Sequence, residues 1–162
     1  MPSCHFDYAS IIWSNTFSTY TDPLVALQGR AGRVILGAPK LTPTDQVLGM
    51  LHWTPMKTRW QCQRGIMMFK VAKGLAPRYL TESFTPLTES YSNTGRVTRG
   101  STNGNFHTPS SGNDWGKRRF ASHGANLWNN LPTSVKNIHE LPSFKCAIKS
   151  LGKHNYPFYS PL

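Results

Sequence analysis

The sequence predicts a mainly α-helical protein: a small helical bundle interrupted by one long polar loop. Apolar residues recur at helical spacing in several windows, helix-start and helix-stop residues bracket those windows, and the strand signal is weak throughout. A chain of 162 residues is long enough for one domain with a real core. The expected division is a basic helical segment over 1–87, a flexible loop over 88–114, and a basic C-terminal helical segment over 115–162 that packs on the first.

The first helix is expected from Asp22 to Gly37, with Asp22 as N-cap, Pro23 at the first helical position and Gly37 beyond the last turn. Leu24, Leu27, Ala31, Val34 and Ile35 make its apolar stripe, with Arg30 and Arg33 on the other side. Gly29 and Gly32 interrupt it, each at a cost of about 1 kcal/mol relative to alanine. A short second helix is expected from Thr44 to Leu51. The clearest helix runs from Pro55 to Lys73, capped by Thr54 and closed by Gly74. Met56, Trp60, Met67 and Val71 form one stripe, and Cys62, Ile66 and Phe69 a second, so this helix should be sandwiched between other elements.

From Thr88 to Asp114, eighteen of twenty-seven residues are Ser, Thr, Asn or Gly, which predicts a structureless, mobile loop. Trp115–Phe120 follows as a basic-aromatic segment of extended backbone. A helix over Ser122–Asn130 is then ended by Pro132. The last helix begins at Pro142. It turns Phe144, Ala147, Ile148 and Leu151 to the core and Lys145, Lys149 and Lys153 to another side. No internal repeat is visible.

The charge is lopsided: 18 Lys and Arg against 7 Asp and Glu, a net +11. Such a field favours polyanions, nucleic acid first and an anionic membrane surface second. Charged residues are 15% of the chain against a usual ~25%, and aromatics are 12%, which sets it apart from a charged disordered tail. The cysteines Cys4, Cys62 and Cys146 are odd in number and form no CxxC pair, so a reducing intracellular setting, nucleus or cytoplasm, is expected. No apolar run reaches the ~18 residues of a membrane span, and no basic, then apolar leader opens the chain; it is expected neither to be secreted nor to enter a membrane.

Catalytic patterns are missing. The six histidines are scattered and none joins a cysteine at zinc-ligand spacing, so no metal site is expected. There is no GxSxG, and "GSTNGN" lacks the lysine of a phosphate loop; neither a cofactor nor a small-molecule substrate is expected. A polymerase or nuclease needs clustered carboxylates for two metal ions, and the acids here are dispersed. The chain is therefore not expected to be an enzyme by itself.

What remains is basic. Arg30 and Arg33 form one cluster. A second lies on the long helix, where Lys57, Arg59, Arg64, Lys70 and Lys73 are followed by Arg78 with no acid between Asp45 and Glu82. Lys117, Arg118 and Arg119 form a third, and Lys145, Lys149 and Lys153 a fourth. These are candidate phosphate contacts, with Trp115, Phe120 and Trp128 as candidate stacking partners for unpaired bases.

Four blocks in order carry a family resemblance: "HFDYASIIW" at 5–13, "LQGRAGRVILG" at 27–37, "RGIMMFKVAKGLAPRYL" at 64–80, and "FASHGANLWNNLP" leading to "FKCAIKSL" at 120–151. Together they resemble the C-terminal end of the reverse-transcriptase polyprotein of animal non-LTR (LINE-like) retrotransposons. The resemblance implies a parent with an apurinic-type endonuclease, a polymerase with a Tyr-x-Asp-Asp loop, and target-primed synthesis on element RNA. None of those catalytic residues lies in this chain. Its place in the family is downstream of the palm, in the thumb-like and post-thumb region, with template RNA or target DNA as the implied partner and the missing palm as another. Met1 stands just before the first block, which gives the look of a truncated copy, and Gly29 and Gly32 depart from the family pattern.

The leading expectation is thus a non-catalytic nucleic-acid-binding fragment of such a reverse transcriptase. The alternatives are a helical protein-interaction module and a decayed transposon fragment without selected function.

Overall fold

A computed structural model describes residues 7–90 and 103–153. Backbone pairing outside helices is limited, among these residues, to a single antiparallel bridge between Pro86 and Phe106. The mainly helical expectation holds. No helix among the described residues is long and apolar enough to cross a membrane. Contacts divide the chain into a unit ending at Trp60 and a unit beginning at Gln61.

The first unit contains α1 (Ser10–Trp13), α2 (Ser18–Leu36), α3 (Thr44–Met50) and the first turn of α4 (Met56–Ala72). Helix α2 starts a turn earlier than Pro23 predicted, and Pro23 lies inside it. The first turn closes without the proline: Tyr20 N–H donates to the Phe17 carbonyl at 3.0 Å, and Thr21 Oγ1 to Ser18 at 3.4 Å. Pro23 itself donates no helix bond, and its ring crowds the carbonyl of Thr19. The C-terminus is as expected. Gly37 takes a left-handed φ of 60°, and Ala38 N–H closes on the Arg33 carbonyl at 2.9 Å.

The buried face of α2 is not the predicted apolar stripe. Thr21, Gln28, Gly29 and Gly32 are buried, whereas Leu27, Val34 and Ile35 are exposed, Val34 by 81%. The two glycines explain the inversion. A Cβ on Gly32 would stand 2.6 Å from Val47 Cγ1, and one on Gly29 2.8 Å from Thr44 Oγ1. Helix α3 therefore crosses α2 at its narrowest strip, and the larger apolar side chains beside that strip are left outside. Val47, Leu48, Met56 and Trp60 form the apolar interior, with Trp13 edge-on to Trp60 at 5.0 Å between centroids. Gln28 joins the start of α4 to α2 by accepting from Met56 N–H at 2.9 Å and donating to the Thr54 carbonyl at 3.0 Å.

The second unit holds the rest of α4, then α5 (Arg78–Thr81), α6 (Leu87–Ser90), α7 (Asp114–Arg118), α8 (Phe120–Asn129), α9 (Thr133–Lys136) and α10 (Leu141–Lys153). Helix α4 ends as its sequence predicts, with Gly74 at φ 67° and Leu75 N–H bonded to the Lys70 carbonyl at 2.7 Å. Its deepest residues are Met68 and Phe69, not Met67, which is only half-buried. They pack with Leu127 of α8 and with Phe144 and Ile148 of α10, and Phe69 and Phe144 stack at 4.4 Å. Glycine again permits the approach: a Cβ on Gly65 would run into Ile148, and one on Gly124 would lie 2.7 Å from Met68 Sδ.

Two further expectations change. Residues 114–118 form α7 rather than extended backbone, because Asn113 Oδ1 accepts from Gly116 N–H at 2.8 Å and caps the turn. The polar stretch 88–114 is not all loop either. Phe106 is buried, His107 N–H donates to Thr85 O at 2.8 Å, and Leu87 N–H to Asn105 O at 2.9 Å. Residues 91–102, with Arg96 and Arg99, lie outside the described residues, as do Cys4, His5 and the tail from 154.

Candidate nucleic-acid interface

Burial and hydrogen bonding sort the predicted cations. Arg30 is exposed on α2, but Arg33 is occupied: its Nε donates to Thr42 O and its Nη2 to Thr44 Oγ1, both at 2.9 Å. With Lys40 these two arginines line a shallow cavity of about 820 Å³ at the C-terminal end of α2. Lys57 pairs with Asp22 at 2.8 Å on the surface, where such a pair is worth ~0–1 kcal/mol. Arg59 pairs with Asp7 at 2.7 Å, largely shielded.

In the second unit Arg64 does not belong on a binding surface. It is buried, and its Nη1 lies 2.8 Å from His123 Nδ1 and 3.2 Å from Nε2. A guanidinium only donates, so the ring must offer a lone pair. Burial, followed by the charges of Arg64 and Arg118, pushes the His123 pKa down to about 3 and keeps the ring neutral. A run of basic residues along a helix says nothing about which of them points inward, and at Arg64 the helix turns toward α8. Lys70 is half-buried.

The outward cations of this unit include Lys117 on α7, Arg119 at the joint between α7 and α8, and Lys145 and Lys149 one turn apart on α10, besides Arg78, which pairs with Glu82 at 2.7 Å. Lys117 has a loose ion pair with Asp114 at 3.5 Å. Arg118, between Lys117 and Arg119, is half-buried. Of the three aromatic candidates, Trp128 is a core residue at 2% exposure and Phe120 is packed edge-on against Phe84 at 5.5 Å. Trp115 is 69% exposed.

Sequence reasoning missed a clasp built from the "LWNNLP" turn. Trp128 Nε1 donates to the Gly104 carbonyl at 3.0 Å. Asn129 takes both backbone groups of Phe106, accepting at 2.9 Å and donating at 2.8 Å. Lys136, itself buried, donates to Asn105 Oδ1 at 2.8 Å and to Asn129 O at 2.9 Å, and burial lowers its pKa. Beside the clasp opens a cavity of about 700 Å³, lined by Glu82 and Glu89 as well as Lys73 and Lys136, so it adds no one-signed field.

Cys62 is buried, its Sγ donates to the Ile148 carbonyl at 3.6 Å, and burial pushes its pKa up to about 11, so it stays a thiol. No group of three or more His, Cys, Asp or Glu stands close enough to hold a metal among those residues. No protein-family model, curated protein or solved structure matches the chain.

Proposed function

We propose that the chain is a non-catalytic part of a non-LTR retrotransposon reverse transcriptase, from downstream of the palm, that acts inside the cell by binding template RNA or target DNA. The observation that supports this reading is the placement of charge in the second unit. Apolar side chains fill the interior, while Lys117, Arg119, Lys145 and Lys149 stay in water, and among the described residues Asp114 is the one acid in an ion pair with any of the four. Solvated cations of this kind gain affinity for nucleic acid by releasing its condensed counterions.

Fluorescence anisotropy with labelled single-stranded RNA and duplex DNA, at about 50 and 200 mM salt, tests the proposal. Saturable binding that falls steeply with salt is expected. Replacing Lys117 and Arg119 by alanine should flatten the salt slope by roughly 0.7–0.9 per lost contact. Absence of saturable binding at either salt sinks it.

The outward apolar face of α2, with Leu27, Val34 and Ile35, favours a second reading as a protein-interaction module. Under that reading the same titration stays flat.

A further inference from the structure

We infer that the first unit carries a phosphate site of its own: the cavity at the C-terminal end of α2, where Arg30, Arg33 and Lys40 take a backbone phosphate of the nucleic acid. The inference rests on the nucleic-acid-binding reading above, which drew its cations from the second unit, and adds a separate site in the first.

The sequence sets Arg30 and Arg33 one turn apart, and the structure brings Lys40 to the same cavity by turning the chain after Gly37. The turn is held. Ala38 N–H closes on the Arg33 carbonyl at 2.9 Å, and Thr42 N–H on the Pro39 carbonyl at 3.0 Å. Arg33 is held as well. Its Nε and Nη2 donate along one edge of the guanidinium, to Thr42 O and Thr44 Oγ1, which fixes the plane and leaves the Nη1 end for a ligand. Arg30 and Lys40 are exposed, and none of the three has an ion pair among the described residues. Among those residues no acid lines the cavity; Val34, Gly37 and Ala38 complete its wall.

Three cations without an acid select an anion. The end of α2 opposes them only in part, because a helix C-terminus amounts to about half a negative charge against three full positive ones. Its Arg33 and Val34 carbonyls are also engaged, by the Ala38 and Gly37 N–H groups. A guanidinium held by one edge presents N–H groups at its end in a fork that fits two phosphate oxygens. The net charge of +11 concentrates polyanions around the chain, so the phosphate in reach is that of a nucleic-acid strand. Contacts to phosphate fix position and carry no base preference, so this site should be indifferent to sequence.

The experiment uses the full chain. Amide shifts are followed by NMR as inorganic phosphate is added, with chloride at equal ionic strength as the control. Phosphate, and not chloride, should shift Gly37, Ala38 and Lys40 saturably. Arg30→Gln combined with Lys40→Gln should abolish those shifts. This variant spares Arg33, whose two bonds hold the turn, so its melting curve should match the native one. In anisotropy titrations with labelled single-stranded RNA and duplex DNA, it should flatten the salt slope by roughly 0.7–0.9 per lost contact. Lys40→Gln alone, on the exposed turn, should give about half of that change.

A native salt slope in both variants, or phosphate shifts no larger than those from chloride, overturns the site while leaving nucleic-acid binding by the second unit in place. If the native chain binds neither RNA nor DNA, the functional reading itself fails, and the inference with it.

Discussion

The two units bury opposite kinds of helix face. In the first, α2 turns Thr21, Gln28, Gly29 and Gly32 inward and leaves Val34 and Ile35 in water. In the second, α10 turns Phe144 and Ile148 inward and leaves Lys145 and Lys149 outside, as hydrophobic periodicity demands. The first unit is held by close backbone approach and by the two hydrogen bonds of Gln28 to the start of α4. The second is held by stacked aromatics and by two buried cations, Arg64 and Lys136, each with a hydrogen-bond partner. Apolar character decides burial only when the partner helix leaves room for it. Where glycines invite a neighbour in, proximity decides instead.

The comparison predicts a graded set of losses. Phe144→Ala should be the most damaging, at about 3–5 kcal/mol, because it empties a fully buried site between Phe69 and Ile148. Denaturant titration combined with amide exchange should place that loss in residues 61–153; a loss under 1 kcal/mol would show that the second core is loosely packed.

Acid comes next. The folded pKa of His123, about 3, lies below its ordinary 6.5, so on acidification the unfolded chain binds the proton first. This contribution to stability is complete above pH 6.5 and drains away as pH falls toward about 3. Between pH 7 and 5 it should amount to about 2 kcal/mol, and His123→Gln, which keeps an acceptor for Arg64, should remove that part of the slope. An unchanged slope in the variant would place the acid sensitivity elsewhere.

The smallest effects belong to the first unit. Gln28→Ala leaves the Met56 N–H and the Thr54 carbonyl without their partner and should cost about 1–3 kcal/mol. Ile35→Ser, on the outward stripe, should stay within about 0.5 kcal/mol. A larger loss from Ile35 than from Gln28 would restore the periodicity-based assignment and break the contrast between the units.

Much of this fold was legible where local signals agree. Pro55 and Gly74 bracket α4 to within a residue at each end, and the stripe of α10 names its own core. Other features depend on partners distant in sequence. Nothing near Phe106 announces that Asn129, twenty-three residues on, will take its backbone, and nothing near Arg64 announces His123. The α7 turn was legible in principle, since Asn113 with Gly116 three residues later is a helix-start signal. The outward positions of Lys117, Arg119, Lys145 and Lys149 agree with the sequence reading, and the inward position of Arg64 does not.

The glycines bear on heredity as well as packing. Gly65 and Gly124 stand where any side chain meets Ile148 or Met68, yet at the level of the gene their codons mutate as readily as their neighbours. Related sequences that still encode a working protein should retain both codons while Val34 and Ile35 drift. Sequences released from selection should lose all four at the pace of silent sites. Two codons can thus report whether natural selection still sees this protein.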